Sequence, residues 1–158
     1  LKDVIETITT KVVLLLGRFT PDRKKVLDQL KDELRKYNYI PVLFDFEKPN
    51  NRNFTETIGL LARMSGFVIV DITDPSSVPH ELESIVGACP SVPVCPIFCS
   101  HEERSERPYP MFSDFRDYPN MMRLNPYENT CHLVNLLPGI INEASNKIEA
   151  IKLRRQSF

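Results

Sequence analysis

"KVVLLLGRFTPDRKKVLDQLKDEL", Lys11 to Leu34, is the stretch on which the fold turns. "KVVLLLG" is a continuous apolar run ending at Gly17, the pattern of a strand buried on both faces. A helix follows at once: Thr20 is placed as its N-cap, Pro21 at the first helical position and Asp22 in the first turn. Val26, Leu27, Leu30, Leu34 and Tyr37 then recur at helical spacing, with Lys, Asp and Glu on the other face. A buried strand followed by a surface helix is the unit of an α/β protein.

The unit repeats. "IPVLFDF" (Ile40–Phe46) reads as a second strand, entered through a proline tolerable only at a strand start. "EKPNNRN" is a polar loop, "FTETIGLLARMS" a short helix, and "FVIVDIT" a third strand. "PHELESIVG" is a short helix with Leu82, Ile85 and Val86 facing inward and Gly87 as its stop. Val92–Phe98 forms a fourth strand. "SHEERSERPYP" is a charged loop, "MFSDFRDY" a helical turn and "NMMRLNPY" a weak fifth strand. A long helix from about Glu128 towards Arg155 closes the chain, with an interruption expected at Pro138-Gly139. Short connections and strands that are apolar throughout point to a parallel sheet covered on both faces. The expected fold is a flavodoxin-like three-layer αβα sandwich with five mainly parallel strands in the order 2-1-3-4-5. Residues 1–10 read as a linker or lead-in helix and 11–158 as a single domain, part of a larger multidomain protein.

Composition narrows the function classes. The chain has 158 residues, 42% hydrophobic and 26% charged, which suits one soluble globular domain. A net charge of −1 offers no global field for nucleic acid or a membrane surface. No apolar run approaches the roughly 20 residues of a membrane span, and no signal-peptide layout is visible. Cys89, Cys95, Cys99 and Cys131 form no CxxC pair and have no His at zinc-finger spacing, so no metal site is expected. They read as buried thiols of a reduced compartment, hence a cytoplasmic protein.

In a sheet of this order the ligand crevice lies beyond the carboxyl ends of the strands, beside the reversal in strand order. Three segments fall there. Gly17-Arg18-Phe19 matches neither GxGxxG nor GxxxxGK[ST], which argues against a standard dinucleotide or P-loop site. Gly17 lets backbone approach a ligand, Arg18 can hold a phosphate or carboxylate, and Phe19 can stack on a base. A tight turn with an exposed Arg and a Phe tucked under the helix accounts for them equally well. Asp45 and Glu47, after the second strand, suit ribose hydroxyls or simply a solvated loop. The third segment gathers Asp71, Asp74, Ser76, Ser77, His80 and Glu81. A carboxylate there could stabilise or attack an oxocarbenium-like centre. Plain capping, with Ser77 as cap, Pro79 opening the helix and Glu81 on the helix dipole, is the stronger account on residue chemistry alone. Glu81 and Glu83 flank the apolar face on opposite sides, and Glu81 is nearer the loop.

The succession "VVLLLGRF", "PVLFDFEKP", "FVIVDITDPSSVPHEL" resembles Toll/interleukin-1 receptor (TIR) domains and the related nucleoside 2-deoxyribosyltransferase-like domains. It is most similar to bacterial TIR-like domains of multidomain proteins, some carrying pentapeptide repeats, over roughly residues 11–100. The TIR pattern places a catalytic Glu after the third strand, in a Ser…Trp-Cys-x-x-Glu-Leu context, and "SSVPHEL" offers Glu81-Leu82 there. The chain departs from the pattern in having no Trp, with Pro79-His80 in place of Trp-Cys, and Pro49-Asn50 in place of the Pro-Gly of the second loop.

The resemblance implies an N-glycosidase, an NAD⁺ nucleosidase in which Glu81 meets the ribosyl C1′ centre as nicotinamide leaves. By position, Phe19 and Phe46 would pack on rings, Arg18 would hold phosphate, and Asp45 or Asp74 would bind ribose hydroxyls. Gly17, Ser77 and His80 complete the expected binding set. NAD is then substrate, with no tightly bound cofactor. The implied partners are other copies of the chain, through TIR-like surfaces, and a regulatory domain, in bacterial immunity or stress signalling. The alternatives are a non-catalytic signalling module assembling through "EKPNNRN" and its helices, and a deoxyribosyltransferase-like enzyme using the same Glu.

Overall fold

The computed structural model describes residues 2–17, 19–45, 53–73, 82, 86–100 and 118–156. The apolar runs become β1 (Val12–Gly17), β2 (Ile40–Asp45), β3 (Phe67–Asp71), β4 (Val94–Cys99) and β5 (Asn125–Tyr127). They make one five-stranded sheet in the order β2-β1-β3-β4-β5, and every pair is parallel. The expected α/β, flavodoxin-like order is therefore the one adopted. Boundaries shift by a residue or two: β3 ends at Asp71, β4 runs Val94–Cys99, and the fifth strand shrinks to its last three residues.

The helices are α1 (Lys2–Thr9), α2 (Pro21–Lys36), α3 (Asn53–Arg63) and α4 (Thr130–Gln156), with Leu82 and residues 86–88 also helical. Alternation along each strand divides the core in two. Leu14, Leu16, Val68, Val70 and Val94 face Ile58 and Ala62 of α3 together with Leu82 and Val86. Val13, Leu15, Ile69, Cys95 and Ile97 face the apolar stripe of α2, Val26, Leu27, Leu30 and Leu34, and that of α4, Leu133, Leu137, Ile140 and Ala144. Burying a leucine of such a stripe is worth roughly 1.5–3 kcal/mol, so packing, not helix propensity, holds α2 in place. In α1, by contrast, Val4, Ile5 and Ile8 are exposed.

Several local expectations are corrected. Tyr37 is not part of the buried stripe: it lies beyond the last turn of α2 and is 43% exposed. The helix stops there because Asn38 adopts a left-handed conformation (φ 66°), while the Asn38 and Tyr39 N–H groups donate to the Arg35 and Leu34 carbonyls. Gly87 is no helix stop: residues 86–88 are helical and no glycine has a positive φ. Pro90, which cannot continue a helix, lies just beyond. α4 runs unbroken through Pro138-Gly139, both on its exposed side, where water can take the carbonyl freed by the missing N–H. Three cysteines are buried free thiols as expected, but Cys131 is exposed in the first turn of α4.

Prolines sit inside three strands, each where the ladder has no need of an N–H. Ile40 N–H donates to Lys11 O, so Ile40 faces β1 and Pro41 faces the open edge. Ser100 N–H donates to Tyr127 O, so Tyr127 faces β4 and Pro126 faces outward. Val94 bonds on its β5 side to Asn120 and Met122, so Pro96 faces that side too. It falls between the Val94–Met121 bridge and the Ile97–Asn125 pair, where residues 122–124 are not strand. Pro96 thus explains why β5 is short.

Candidate functional site

The strand order reverses between β1 and β3, and the carboxyl ends of β2, β1 and β3 meet there. Gly17 is in register with Asp45. A Cβ on Gly17 would sit 2.9 Å from Leu27 Cδ1 and 3.5 Å from Asp71 Cβ, so the backbone passes where a side chain would collide. Phe19 N–H donates to Asp45 Oδ1 at 3.2 Å. This bond fixes the chain as it leaves β1 and turns towards α2, and it leaves the Asp45 carboxylate half-buried at the strand end. The Phe19 ring packs against the α2/α4 core, with Lys24 Nζ 5.9 Å from its centre.

Of the residues singled out from sequence, the structure brings Gly17, Phe19 and Asp45 together. Arg18, Phe46, Asp74, Ser77, His80 and Glu81 lie outside the described residues, as do "EKPNNR" and "MFSDFRD" of the loops. The described chain enters the third segment at Asp71, Ile72 and Thr73 and resumes at Leu82, whose side chain is buried.

Beside this junction is a polar cluster that sequence reading did not assemble. Asp71 is the last residue of β3, and its side chain is only 2% exposed. Its Oδ1 accepts hydrogen bonds from both the backbone N–H and the hydroxyl of Thr73. The Thr73 hydroxyl oxygen in turn accepts the Cys99 N–H at 3.0 Å, at the end of β4. Arg23, in the first turn of α2, brings Nη1 to 3.8 Å from Asp71 Oδ2 and donates to the Tyr127 hydroxyl at 3.1 Å. Burial, then the nearby Asp71 charge, push the Tyr127 phenol well above its ordinary range, against the opposing pull of Arg23 and a Thr73 hydrogen bond. Tyr127 is accordingly a neutral phenol, able to accept from Arg23. Asp71 had been visible as one of a crowd. A buried acid demands a cation, but nothing in the local sequence selects Arg23, and Tyr127 read only as the end of a weak strand.

Among the described residues, no group of three or more His, Cys, Asp and Glu could hold a metal ion. No described helix is long and apolar enough to cross a membrane. A groove of about 640 Å³ runs between α2 and α4, lined by Lys25, Asp28, Gln29, Asp32, Cys131 and Val134 among others. None of the predicted site residues lines it.

Neither a protein-family model nor a curated protein matches the chain by sequence. Its fold is similar to a solved structure of a diflavin flavoprotein A3 from Nostoc sp., with a TM-score of 0.64 over 92% of this chain and 97% of that one. Identity is 11%, so the likeness concerns the fold alone.

Proposed function

We propose that the protein is a TIR-like N-glycosidase of nucleotides, with NAD⁺ as substrate and Glu81 as the catalytic carboxylate. One observation carries the reading: at the reversal of the strand order, where β1, β2 and β3 end together, a half-buried carboxylate stands at Asp45 in register with Gly17. A carboxylate at that place suits ribose hydroxyls, while Gly17 makes room for Leu27 and Asp71 packed against it. The segment carrying Glu81 departs from the same junction, directly after Thr73.

The chemistry needs one carboxylate. The C1′–N bond of NAD⁺ breaks with both electrons going to the pyridinium nitrogen, and nicotinamide leaves neutral. Glu81 stabilises or captures the oxocarbenium centre, and water supplies the hydroxyl at C1′, giving ADP-ribose and one proton. Arg18 is assigned to phosphate, Asp45 or Asp74 to ribose hydroxyls. The resemblance to TIR domains adds self-association and control by a regulatory domain in a bacterial immune or stress response. A flavin is not part of the proposal. A flavin mononucleotide's terminal phosphate would need a cradle of N–H groups and hydroxyls after the first strand, whereas Arg18 alone can pair with the bridging phosphates of a dinucleotide. Here three residues separate Gly17 from Pro21, one of them hydroxylated, and Pro21 has no N–H.

The test is nicotinamide release from NAD⁺ by the assembled full-length protein and by its Glu81→Gln variant. The parent is expected to release it and the variant to be slower by about a hundredfold or more. Equal release would move the site away from Glu81. No release by the assembled parent would leave the non-catalytic signalling module.

A further inference from the structure

The Asp71 cluster has no direct part in breaking a glycosidic bond, yet it occupies the β3 exit from which the Glu81 segment departs. One carboxylate there engages three elements at once. Its Oδ1 folds the chain back through Thr73 immediately beyond β3, and Thr73 is itself tied to the end of β4. Its Oδ2 faces Arg23 of α2, whose guanidinium, 13% exposed, also reaches Tyr127 at the end of β5. Such a buried pair is a poor source of stability, because apolar side chains of the same volume would serve as well. What a charge pair with fixed hydrogen bonds does supply is direction.

We propose that Arg23, Asp71 and Tyr127 are positioning residues that fix the course of the chain at the exit of β3, at Thr73, from which the sequence runs on to Glu81. The proposal rests on the N-glycosidase reading for its catalytic consequence, and on geometry alone for its conformational one. Asp71→Asn keeps an oxygen for Thr73 but removes the charge that faces Arg23. Arg23→Met removes the cation, and Arg23→Lys retains it as an ammonium without the planar guanidinium whose Nη1 meets both Asp71 and Tyr127.

The experiment measures two quantities on the full-length protein: amide hydrogen exchange, peptide by peptide, and the kcat and KM for NAD⁺. In Asp71→Asn and Arg23→Met, exchange in peptides covering Ile72, Thr73 and Cys99 is expected to quicken by about tenfold or more while peptides from β1 and α3 keep the parent rate. The kcat is expected to fall by about tenfold or more with KM within about twofold, since the lost interaction acts on the placement of the reacting group. Arg23→Lys is expected to recover part of both. Unchanged exchange at Ile72, Thr73 and Cys99 would overturn the proposal, as would a uniform quickening over all peptides, which marks general destabilisation. Should Asp71→Asn fail to fold, the Arg23→Met and Arg23→Lys pair decides by the same criteria. If the parent itself cleaves no NAD⁺, the glycosidase reading fails while local quickening still upholds the clamp and its absence still refutes it.

Discussion

Gly66 is the residue at which a single methyl group should do the most damage. A Cβ placed there would lie 2.5 Å from the Thr10 carbonyl oxygen and 3.0 Å from its carbon, both backbone atoms. Carbon-to-oxygen approaches of this kind ordinarily stay near 3.3 Å or beyond, so α1's exit and the start of β3 would have to part by about 0.8 Å. The same opening strains the Gly66 N–H to Val12 O bond, now 2.7 Å, which seats β3 beside β1. A lost hydrogen bond costs about 1 kcal/mol. Forcing an extra carbon into packed structure costs about 1–3 kcal/mol. Gly66→Ala should therefore destabilise by about 2–4 kcal/mol, a fall in Tm of about 5–15 °C for a domain of this size. Gly59 and Gly139 provide the control, since a Cβ at either, both within helices, meets nothing within 4 Å. Each of those changed to Ala should gain about 0.5–1 kcal/mol from helix propensity. Urea melts of the three variants beside the parent check this. A Gly66→Ala midpoint equal to the parent's, or a loss as large in Gly59→Ala, would refute the reasoning.

Two further outcomes follow from the thiols. Cys131 is exposed and Cys89, Cys95 and Cys99 are buried, so a thiol reagent should label one site in the native protein and the other three only on unfolding; Cys131→Ser should abolish the native signal. Burial pushes the Cys95 thiol from 9.0 up to about 12, and Tyr127 is likewise raised from 10.0. Both groups hold their protons longer in the folded chain, so their contribution is complete below about pH 9 and is lost as pH rises towards 12. Stability should drop by about 1.4 kcal/mol per pH unit for each proton involved, and Cys95→Ala should flatten the alkaline limb of a denaturation series.

The layer order was legible because β1, β3 and β4 are apolar without alternation, which only a sheet covered on both faces permits. Thr20 and Pro21 located the start of α2 to the residue, and the Val26-to-Leu34 stripe its buried face. The errors share one cause, which is that a neighbour decided what a local rule could not. Tyr37 fits the stripe by spacing, yet Asn38 ends the helix before its ring can turn inward. Pro138 is a helix breaker by rule, but Leu133, Leu137 and Ile140 pack on both sides of it and hold α4 continuous. For the site, topology placed Gly17 and Asp45 side by side, as the strand order requires. The Arg23–Asp71–Tyr127 grouping was out of reach, because it joins the ends of α2, β3 and β5 across the fold and leaves no mark on any one stretch.

The strand prolines bear on how copies of this chain can meet. A parallel sheet with two open sides invites another strand, and strand addition is the commonest route by which such sheets grow into larger or unwanted assemblies. Here Pro41 interrupts the outward row of donors on β2, and Pro126 occupies the middle of the three-residue β5, also facing out. Among the described residues, neither side offers an unbroken template. Strand addition at either edge would therefore have to leave a donor position unpaired, at Pro41 on β2 or at Pro126 on β5.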